Sequence, residues 1–180
     1  MFRVYSLDAT IKRIKAQLAN MLTLSNLFFG GFALISIFQD QYHISTLFIF
    51  LAALMDRFDG MVARRLKTES ELGKQLDSLC DIVSFGVAPA MLLYQSTIHI
   101  FSLPGMLTTC LFIACGAYRL ARFNISKRSN EYFTGLPITV AGTFAAFSFL
   151  FSSYVSSIFY IFILILLSAL MVSPIQFKKM

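Results

Sequence analysis

Residues 55–89 read MDRFDGMVARRLKTESELGKQLDSLCDIVSFGVAP, and this stretch sets four aspartates within segments that are otherwise fit to cross a membrane. The aspartates are Asp56, Asp59, Asp77 and Asp81. A carboxylate at membrane depth is costly and is kept where it has a partner or a function. Four such groups repel one another. The sequence therefore predicts a positively charged species between them.

The spacing of the aspartates predicts one shared site. Asp56 and Asp59 are three residues apart, so they share a helix face, and Asp77 and Asp81, four residues apart, share another. The polar turn KTESEL at residues 67–72 lets the two helices run antiparallel, which brings both pairs to a similar depth. Two carboxylates from each of two helices make an all-oxygen cage, which suits Mg²⁺ or Mn²⁺ rather than zinc. We predict a cluster of two ions, completed by substrate phosphates.

Small and basic residues accompany the aspartates. Gly60 and Ala63 lie on the helix of the first pair and leave room for a ligand against the backbone. Arg64 lies one turn beyond Gly60, where a guanidinium can clamp a diphosphate. Gly73 removes bulk at the start of the facing helix. These residues predict a diphosphate site beside the metal.

The whole chain has the composition of a membrane protein. Of its 180 residues 57% are hydrophobic and 13% charged, whereas a soluble domain is about a quarter charged. At about 20 residues per span, this length fits roughly six transmembrane helices. We predict an all-α integral membrane fold in a single domain, 1–180: an N-terminal interfacial amphipathic helix within 1–19, then a six-helix bundle over 20–173. The predicted spans are Met21–Phe38, Ile44–Leu66, Leu72–Tyr94, Leu103–Phe123, Leu136–Phe151 and Tyr154–Val172.

The basic residues predict the orientation of the chain. With both termini inside the cell, all 15 Lys and Arg fall on the cytoplasmic side or in the adjoining helix ends. The opposite loops, near residues 39–43, 95–102 and 152–154, contain none, as the positive-inside rule requires. This distribution explains the net charge of +6 and argues against nucleic-acid binding. We predict a multi-pass protein of the cytoplasmic membrane, with the lipid bilayer as its partner and the aspartates facing the cytoplasm.

The aspartate stretch resembles the signature of the CDP-alcohol phosphatidyltransferase family, D-x-x-D-G-x-x-A-R-x8-G-x3-D-x3-D, with every spacing kept. The matching positions are Asp56, Asp59, Gly60, Ala63, Arg64, Gly73, Asp77 and Asp81. Three further segments resemble the phosphatidylserine synthase branch of that family: DIVSFGVAPA (81–90), YRLARFN (118–124) and FTGLP (133–137). Cys80 departs from the pattern, since a small residue such as Ala is more usual there.

The resemblance implies that the phosphatidyl group of CDP-diacylglycerol is transferred to the hydroxyl of L-serine, releasing CMP. It implies that Asp56, Asp59 and Asp77 ligate Mg²⁺ or Mn²⁺. Asp81 would either share a metal or act as the catalytic base that deprotonates the acceptor hydroxyl.

The resemblance also suggests binding residues. Gly60 and Ala63 would line the cytidine pocket, and Arg64 would contact phosphate. The full predicted nucleotide and diphosphate set is Gly60, Ala63, Arg64, Gly73 and Asn26. Serine is a zwitterion, so its carboxylate needs a cationic partner. The candidates for serine binding are Ser84, Arg119, Arg122, Asn124 and Lys127, beside the turn at residues 134–137.

Several alternatives stay open. The signature is shared across acceptors, so glycerol 3-phosphate or inositol phosphate could replace serine, and an archaeal chain would use another lipid donor. The aspartates could also be helix-end carboxylates paired with neighbouring Arg and Lys. Intramembrane aspartates also mark cation-coupled transporters, but those have broken helices and repeat symmetry, and no repeat is evident here. The resemblance and the small residues of the early spans together imply a homodimer.

Overall fold

The computed structural model describes residues 2–66, 70–125, 132–174 and 176–178, and these are almost entirely helical. The helices are α1 (Phe2–Phe38), α2 (Tyr42–Leu66), α3 (Glu71–Asp81), α4 (Ala88–Leu93), α5 (Leu103–Ile125), α6 (Ile138–Phe149) and α7 (Ser157–Val172). Two short strands, β1 (Tyr132–Thr134) and β2 (Gln176–Lys178), pair antiparallel. The sequence did not predict this small sheet, which joins the connection before α6 to the segment after α7.

Helix α1 corrects one prediction. The expected interfacial helix and first span are parts of a single helix of 37 residues. The reason lies in the sequence between them, LANM at residues 18–21, which holds neither Gly nor Pro to end a helix. A helix of this length extends about 55 Å, which exceeds the roughly 30 Å of a hydrocarbon core. If Asn20–Phe38 crosses the membrane, the basic N-terminal part must therefore continue beyond the hydrocarbon.

Helices α3 and α4 belong to one helical run, Glu71–Phe101, which contains two wider π-helical segments. The first, Ile82–Val87, directly follows Asp81, and the N–H of Ala88 donates to the carbonyl of Val83 five residues back. Pro89 has no N–H, so the carbonyl of Phe85 loses its α-helical donor. Gly142 of α6 packs against that carbonyl, since a Cβ on Gly142 would lie 2.2 Å from the oxygen. The π-helical segment thus allows close contact between two helices.

The lengths of the helices agree in part with the six predicted spans. Among the described residues, three helical runs are long and apolar enough to cross a membrane: Asn20–Phe38, Glu71–Phe101 and Leu103–Ile125. Helix α2 has 25 residues, but its second half carries the charged residues around Asp56 and Asp59. Helices α6 and α7 are apolar but shorter, at 12 and 16 residues. Counting Glu71–Phe101 as one run, the described part of the chain has six helical units.

The packing places apolar side chains on both the inside and the outside. Phe85, Phe112, Ile138 and Tyr160 are fully buried where the π-helical segment meets α5, α6 and α7. Large apolar side chains also cover the outer surface, and Phe28, for example, is 68% exposed. A soluble monomer rarely exposes so much contiguous apolar area. This surface is the one expected of a protein whose solvent is lipid.

Candidate active site

Three of the four aspartates meet between α2 and α3. Asp56 and Asp59 come from α2 and Asp77 from α3, and one carboxylate oxygen of each lies within 4.8 Å of the others. The predicted meeting of the two helices at the level of the aspartates is therefore present. Carboxylates at this separation repel one another unless a cation or protons lie between them.

The donor atoms of this cluster fit a divalent cation. Oδ2 of Asp59 and Oδ1 of Asp77 are buried and have no hydrogen-bond partner in the described part of the chain. Asp59 is only 5% exposed. Unsatisfied buried acceptors cost stability, and a hard cation such as Mg²⁺ or Mn²⁺ would satisfy them, since such ions take carboxylate oxygens. The cluster is thus a candidate metal centre.

Asp81 lies beside this cluster but outside the group of three oxygens. It is 6% exposed, and its carboxyl group is in hydrogen-bond contact with that of Asp56. The side-chain amide of Asn26, on α1, donates to Oδ1 of Asp81 at 3.4 Å. Asp81 therefore touches the cluster through Asp56 and is also held by a neutral donor from α1.

Helix α1 supplies polar contacts from Asn20 and Thr23, which the sequence did not assign, and from Asn26, which it assigned to the nucleotide. Thr23 is hydrogen-bonded to Asp59, and Asn26 reaches Asp81. Asn20 approaches Gly73, where a Cβ would lie 3.4 Å from the Asn20 Oδ1. Asn20, Thr23 and Asn26 are spaced by three residues, so they form a polar stripe on the largely apolar part of α1, Asn20–Phe38. That stripe is the signal in the sequence that points to α1 as a wall of the site.

The predicted nucleotide residues fall into different surroundings. Gly60 borders a cavity of about 550 Å³ between α2 and α6, and a Cβ on Gly60 would meet nothing within 4 Å. Gly73 instead packs closely, because its Cβ would lie 3.1 Å from the hydroxyl of Ser70, the N-cap of α3. Ala63 and Arg64 lie on α2 beyond Gly60, but their side chains are outside the described part of the structure. The cavity is lined by Ala53, Asp56, Arg57, Gly60, Met61, Thr139, Val140 and Thr143.

Two of the serine candidates are engaged in contacts between helices. Ser84 is fully buried and its hydroxyl donates to the carbonyl of Asn26 at 3.2 Å. Asn124 of α5 donates to the hydroxyl of Ser78 at 3.0 Å and to Gln75 at 3.5 Å, which ties α5 to α3. Lys127 lies outside the described residues.

Arg122 holds the C-terminal end of α7. Its guanidinium donates to the carbonyl of Val172 at 3.3 Å and to that of Ser173 at 3.5 Å. Gly135 adopts a φ of +78°, and a Cβ there would lie 2.3 Å from the carbonyl of Met171. A cation beside the last carbonyls of a helix is stabilising. The conformation of the FTGLP segment thus serves this junction.

Arg119 differs from the other candidates. It is 7% exposed, and its guanidinium carbon lies 5.4 Å from the centre of the Phe123 ring. It interacts electrostatically with Asp81. Its Nε is buried and has no hydrogen-bond partner among the described residues. Arg119 is therefore a buried cation that interacts with Asp81.

Comparison with known proteins agrees with this site. The family model for CDP-alcohol phosphatidyltransferase matches residues 16–173. The CDP-diacylglycerol–serine O-phosphatidyltransferase of Bacillus subtilis is 40% identical over 122 residues, covering 68% of this chain and 69% of that protein. The archaetidylserine synthase of Methanothermobacter thermautotrophicus is 35% identical over 164 residues, covering 90% and 70%.

A third relative extends the agreement. The CDP-diacylglycerol–serine O-phosphatidyltransferase of Helicobacter pylori is 33% identical over 169 residues, which is 89% of this chain and 71% of that protein. The family match covers most of the chain, including all four aspartates. This chain is therefore an enzyme that belongs to the CDP-alcohol phosphatidyltransferase family.

Proposed function

We propose that the protein transfers the phosphatidyl group of CDP-diacylglycerol to the hydroxyl of L-serine, forming phosphatidylserine and CMP. The observation that carries this proposal is the cluster of three carboxylates from α2 and α3 with Asp81 set beside it. This arrangement suits phosphoryl transfer to a hydroxyl, because three carboxylates would hold a metal that neutralises phosphate charge and the fourth would take the proton of the hydroxyl. Relatives named for transfer to serine support the choice of acceptor.

The residues that would hold the metal are Asp56, Asp59 and Asp77, and we propose two Mg²⁺ or Mn²⁺ ions. When bound, the metal neutralises charge on the phosphate oxygens, which is the main requirement of phosphoryl transfer. The buried acceptors of Asp59 and Asp77 support this assignment.

Asp81 acts as the base in this proposal. Its carboxylate takes the proton of the acceptor hydroxyl, the hydroxyl oxygen forms a bond to the phosphorus that carries the diacylglycerol, and the bond from phosphorus to the CMP oxygen breaks. The donor from Asn26 would hold Asp81 in place. Gly60 and Ala63 would line the cytidine pocket and Arg64 would contact phosphate; the open space at Gly60 supports its part of the proposal.

We also propose a membrane topology for the protein. Six spans with both termini inside would put the aspartates at the cytoplasmic face, where CMP and serine are soluble. The distribution of Lys and Arg supports this orientation. The homodimer implied by the resemblance is part of the proposal too.

Two alternatives concern the substrates. Glycerol 3-phosphate or inositol phosphate could serve as acceptor, because the aspartate signature is shared by enzymes that use different acceptors. The archaetidylserine synthase, which covers 90% of this chain, favours a donor with an archaeal lipid group as a second candidate. The transporter alternative is set aside, because the chain belongs to a family of transferases.

The test is CMP release by the purified protein with CDP-diacylglycerol and Mn²⁺ or Mg²⁺. We expect release that needs both metal and L-serine and that is lost in Asp81→Asn, by about 10²-fold or more for a general base. Asp40→Asn is the matched control, since Asp40 lies in the turn before α2 and bonds to Tyr42. Release only with glycerol 3-phosphate or inositol phosphate would refute serine as acceptor. Replacing the donor by its archaeal analogue decides between the two lipid donors.

A further inference from the structure

The described candidates for serine binding differ in whether their polar groups are free to take a ligand. Ser84 donates to the backbone of Asn26, and Asn124 bonds to Ser78. Arg122 holds the carbonyls at the end of α7. These three side chains already have structural partners.

Arg119 has a buried donor that lacks one. Its Nε has no hydrogen-bond partner in the described part of the chain, although the residue is 7% exposed. A buried polar group without a partner costs free energy. The ring of Phe123 lies 5.4 Å from its guanidinium carbon, and such a contact stabilises a cation without using its hydrogen-bond donors. The ring contact thus holds the guanidinium in place and leaves its Nε–H available to a ligand.

The position of Arg119 suits the acceptor rather than the nucleotide. It lies on α5, which the hydrogen bond from Asn124 to Ser78 ties to α3. It also interacts electrostatically with Asp81 of α3, the proposed base, which must contact the acceptor hydroxyl. In serine the hydroxyl and the carboxylate are on neighbouring carbons, so the groups that bind them must also be neighbours. A carboxylate that enters beside four aspartates is repelled unless a cation receives it.

We propose that Arg119 binds the carboxylate of the acceptor and thereby selects an amino acid over acceptors without a carboxylate. Nε and one terminal nitrogen of a guanidinium form the edge that binds a carboxylate with two parallel hydrogen bonds. This inference rests on the proposed function, since it concerns the acceptor of the same reaction.

The experiment compares Arg119→Lys and Arg119→Gln with the unchanged protein, using CMP release to measure kcat and KM. We expect the KM for L-serine to rise about 10- to 100-fold, because a charge-assisted hydrogen bond is lost. The rise is smaller for Arg119→Lys, which keeps the charge but loses the planar edge. The KM for CDP-diacylglycerol stays unchanged. Arg65→Lys, at an exposed position near the end of α2, is the matched control and keeps both constants.

A second acceptor separates binding from structure. L-Serine methyl ester keeps the hydroxyl and the amine but has no carboxylate. In both Arg119 variants we expect kcat/KM for serine to fall and kcat/KM for the ester to stay unchanged. The ratio of the two values therefore falls by the same factor as kcat/KM for serine. An equal loss of kcat/KM for serine and ester would show a structural role and overturn the inference.

The remaining outcomes are distinct. If the unchanged protein releases no CMP with serine, the proposed function itself fails. If it uses serine and both variants keep its KM, only the inference is overturned. A rise confined to the KM for CDP-diacylglycerol would assign Arg119 to the donor phosphates and also overturn it. Thermal unfolding checks that the variants fold. If Arg119→Gln does not fold, the KM of Arg119→Lys for serine decides whether the inference holds.

Discussion

Asn26 is fully buried in α1, and its amide donates to Oδ1 of Asp81. We expect Asn26→Ala to lower kcat about 10- to 100-fold, because a hydrogen bond to a charged group contributes about 1.5–3 kcal/mol. The KM for CDP-diacylglycerol should change little, whereas the thermal midpoint in detergent should fall, because the same buried hydrogen bond is lost from the fold. Steady-state CMP release and thermal unfolding measure these quantities.

Ser25 offers the control for that change, since its hydroxyl donates to the carbonyl of Met21 in its own helix. Ser25→Ala should behave like the unchanged protein. If Asn26→Ala instead raises the KM for CDP-diacylglycerol and leaves kcat alone, Asn26 contacts the nucleotide, as the sequence suggests.

We expect the thermal stability of the protein to depend on metal binding through Asp59. In EDTA the clustered carboxylates repel, so Asp59→Asn should raise the thermal midpoint relative to the unchanged protein. Adding Mn²⁺ stabilises the unchanged protein by about 2.7 kcal/mol at 100 times the Kd, and the variant should gain much less. Thermal unfolding with and without metal measures both effects. A variant that gains as much as the unchanged protein would contradict a metal role for Asp59.

Single residues show where prediction from the sequence succeeds and where it fails. The aspartates are predictable because charge in an apolar segment demands a partner and because their spacing fixes a common face. The contact of Thr23 with Asp59 depends on how α1 packs against α2, and no local pattern sets that rotation. For the same reason the hydrogen bonds of Ser84 and Asn124 to neighbouring helices were not predicted.

At the scale of elements, Gly30 and Gly31 are neighbours with opposite surroundings. A Cβ on Gly30 would lie 2.3 Å from the hydroxyl of Ser84, whereas one on Gly31 would meet nothing within 4 Å. We expect Gly30→Ala to lower the free energy of unfolding by about 1–3 kcal/mol through overpacking. Gly31→Ala should be neutral or stabilising, since Ala favours the helix. Thermal unfolding in detergent compares the two, and equal midpoints would contradict this packing of α1 on the π-helical segment.

Arg122 joins α5 to the end of α7. We expect Arg122→Gln to lower the free energy of unfolding by about 1 kcal/mol, the usual effect of a cation at a helix C-terminus, with an unchanged KM for serine. The measurements are thermal unfolding and CMP release. A higher KM for serine at an unchanged midpoint would return Arg122 to the serine site.

The helices were predicted where apolar length decides them, as in α5, expected at Leu103–Phe123 and observed at Leu103–Ile125. Two features could not be predicted from length. The expected boundary near residue 19 is absent because change of polarity alone does not end a helix. The π-helical segment before Pro89 lies where Gly142 of α6 packs against the carbonyl of Phe85, a contact that the length of an apolar run does not reveal. The pairing of β1 with β2 joins residues far apart in the chain.

At the scale of the whole molecule, the proposed orientation puts the α1–α2 turn outside the cell and the start of α3 inside. In a variant without Cys80, Cys110 and Cys115, we expect a membrane-impermeant thiol reagent to label Gln41→Cys in intact cells. Ser70→Cys should be labelled only after the membrane is opened. Both positions are exposed, so accessibility on either side is comparable. The reverse pattern would invert the topology and contradict a cytoplasmic active site.

The π-helical segment after Asp81 also changes the angular phase of its helix. A π turn accommodates about one residue more than an α turn, so side chains beyond Val87 are rotated by about 100° relative to a regular continuation from Asp77 and Asp81. The aspartates and the apolar, buried segment Ala88–Leu93 can therefore face different neighbours on one backbone. Deleting one residue from Ile82–Val87 would cancel that offset and rotate Ala88–Leu93 relative to α6, which it contacts, while Asp77 and Asp81 would keep their own register.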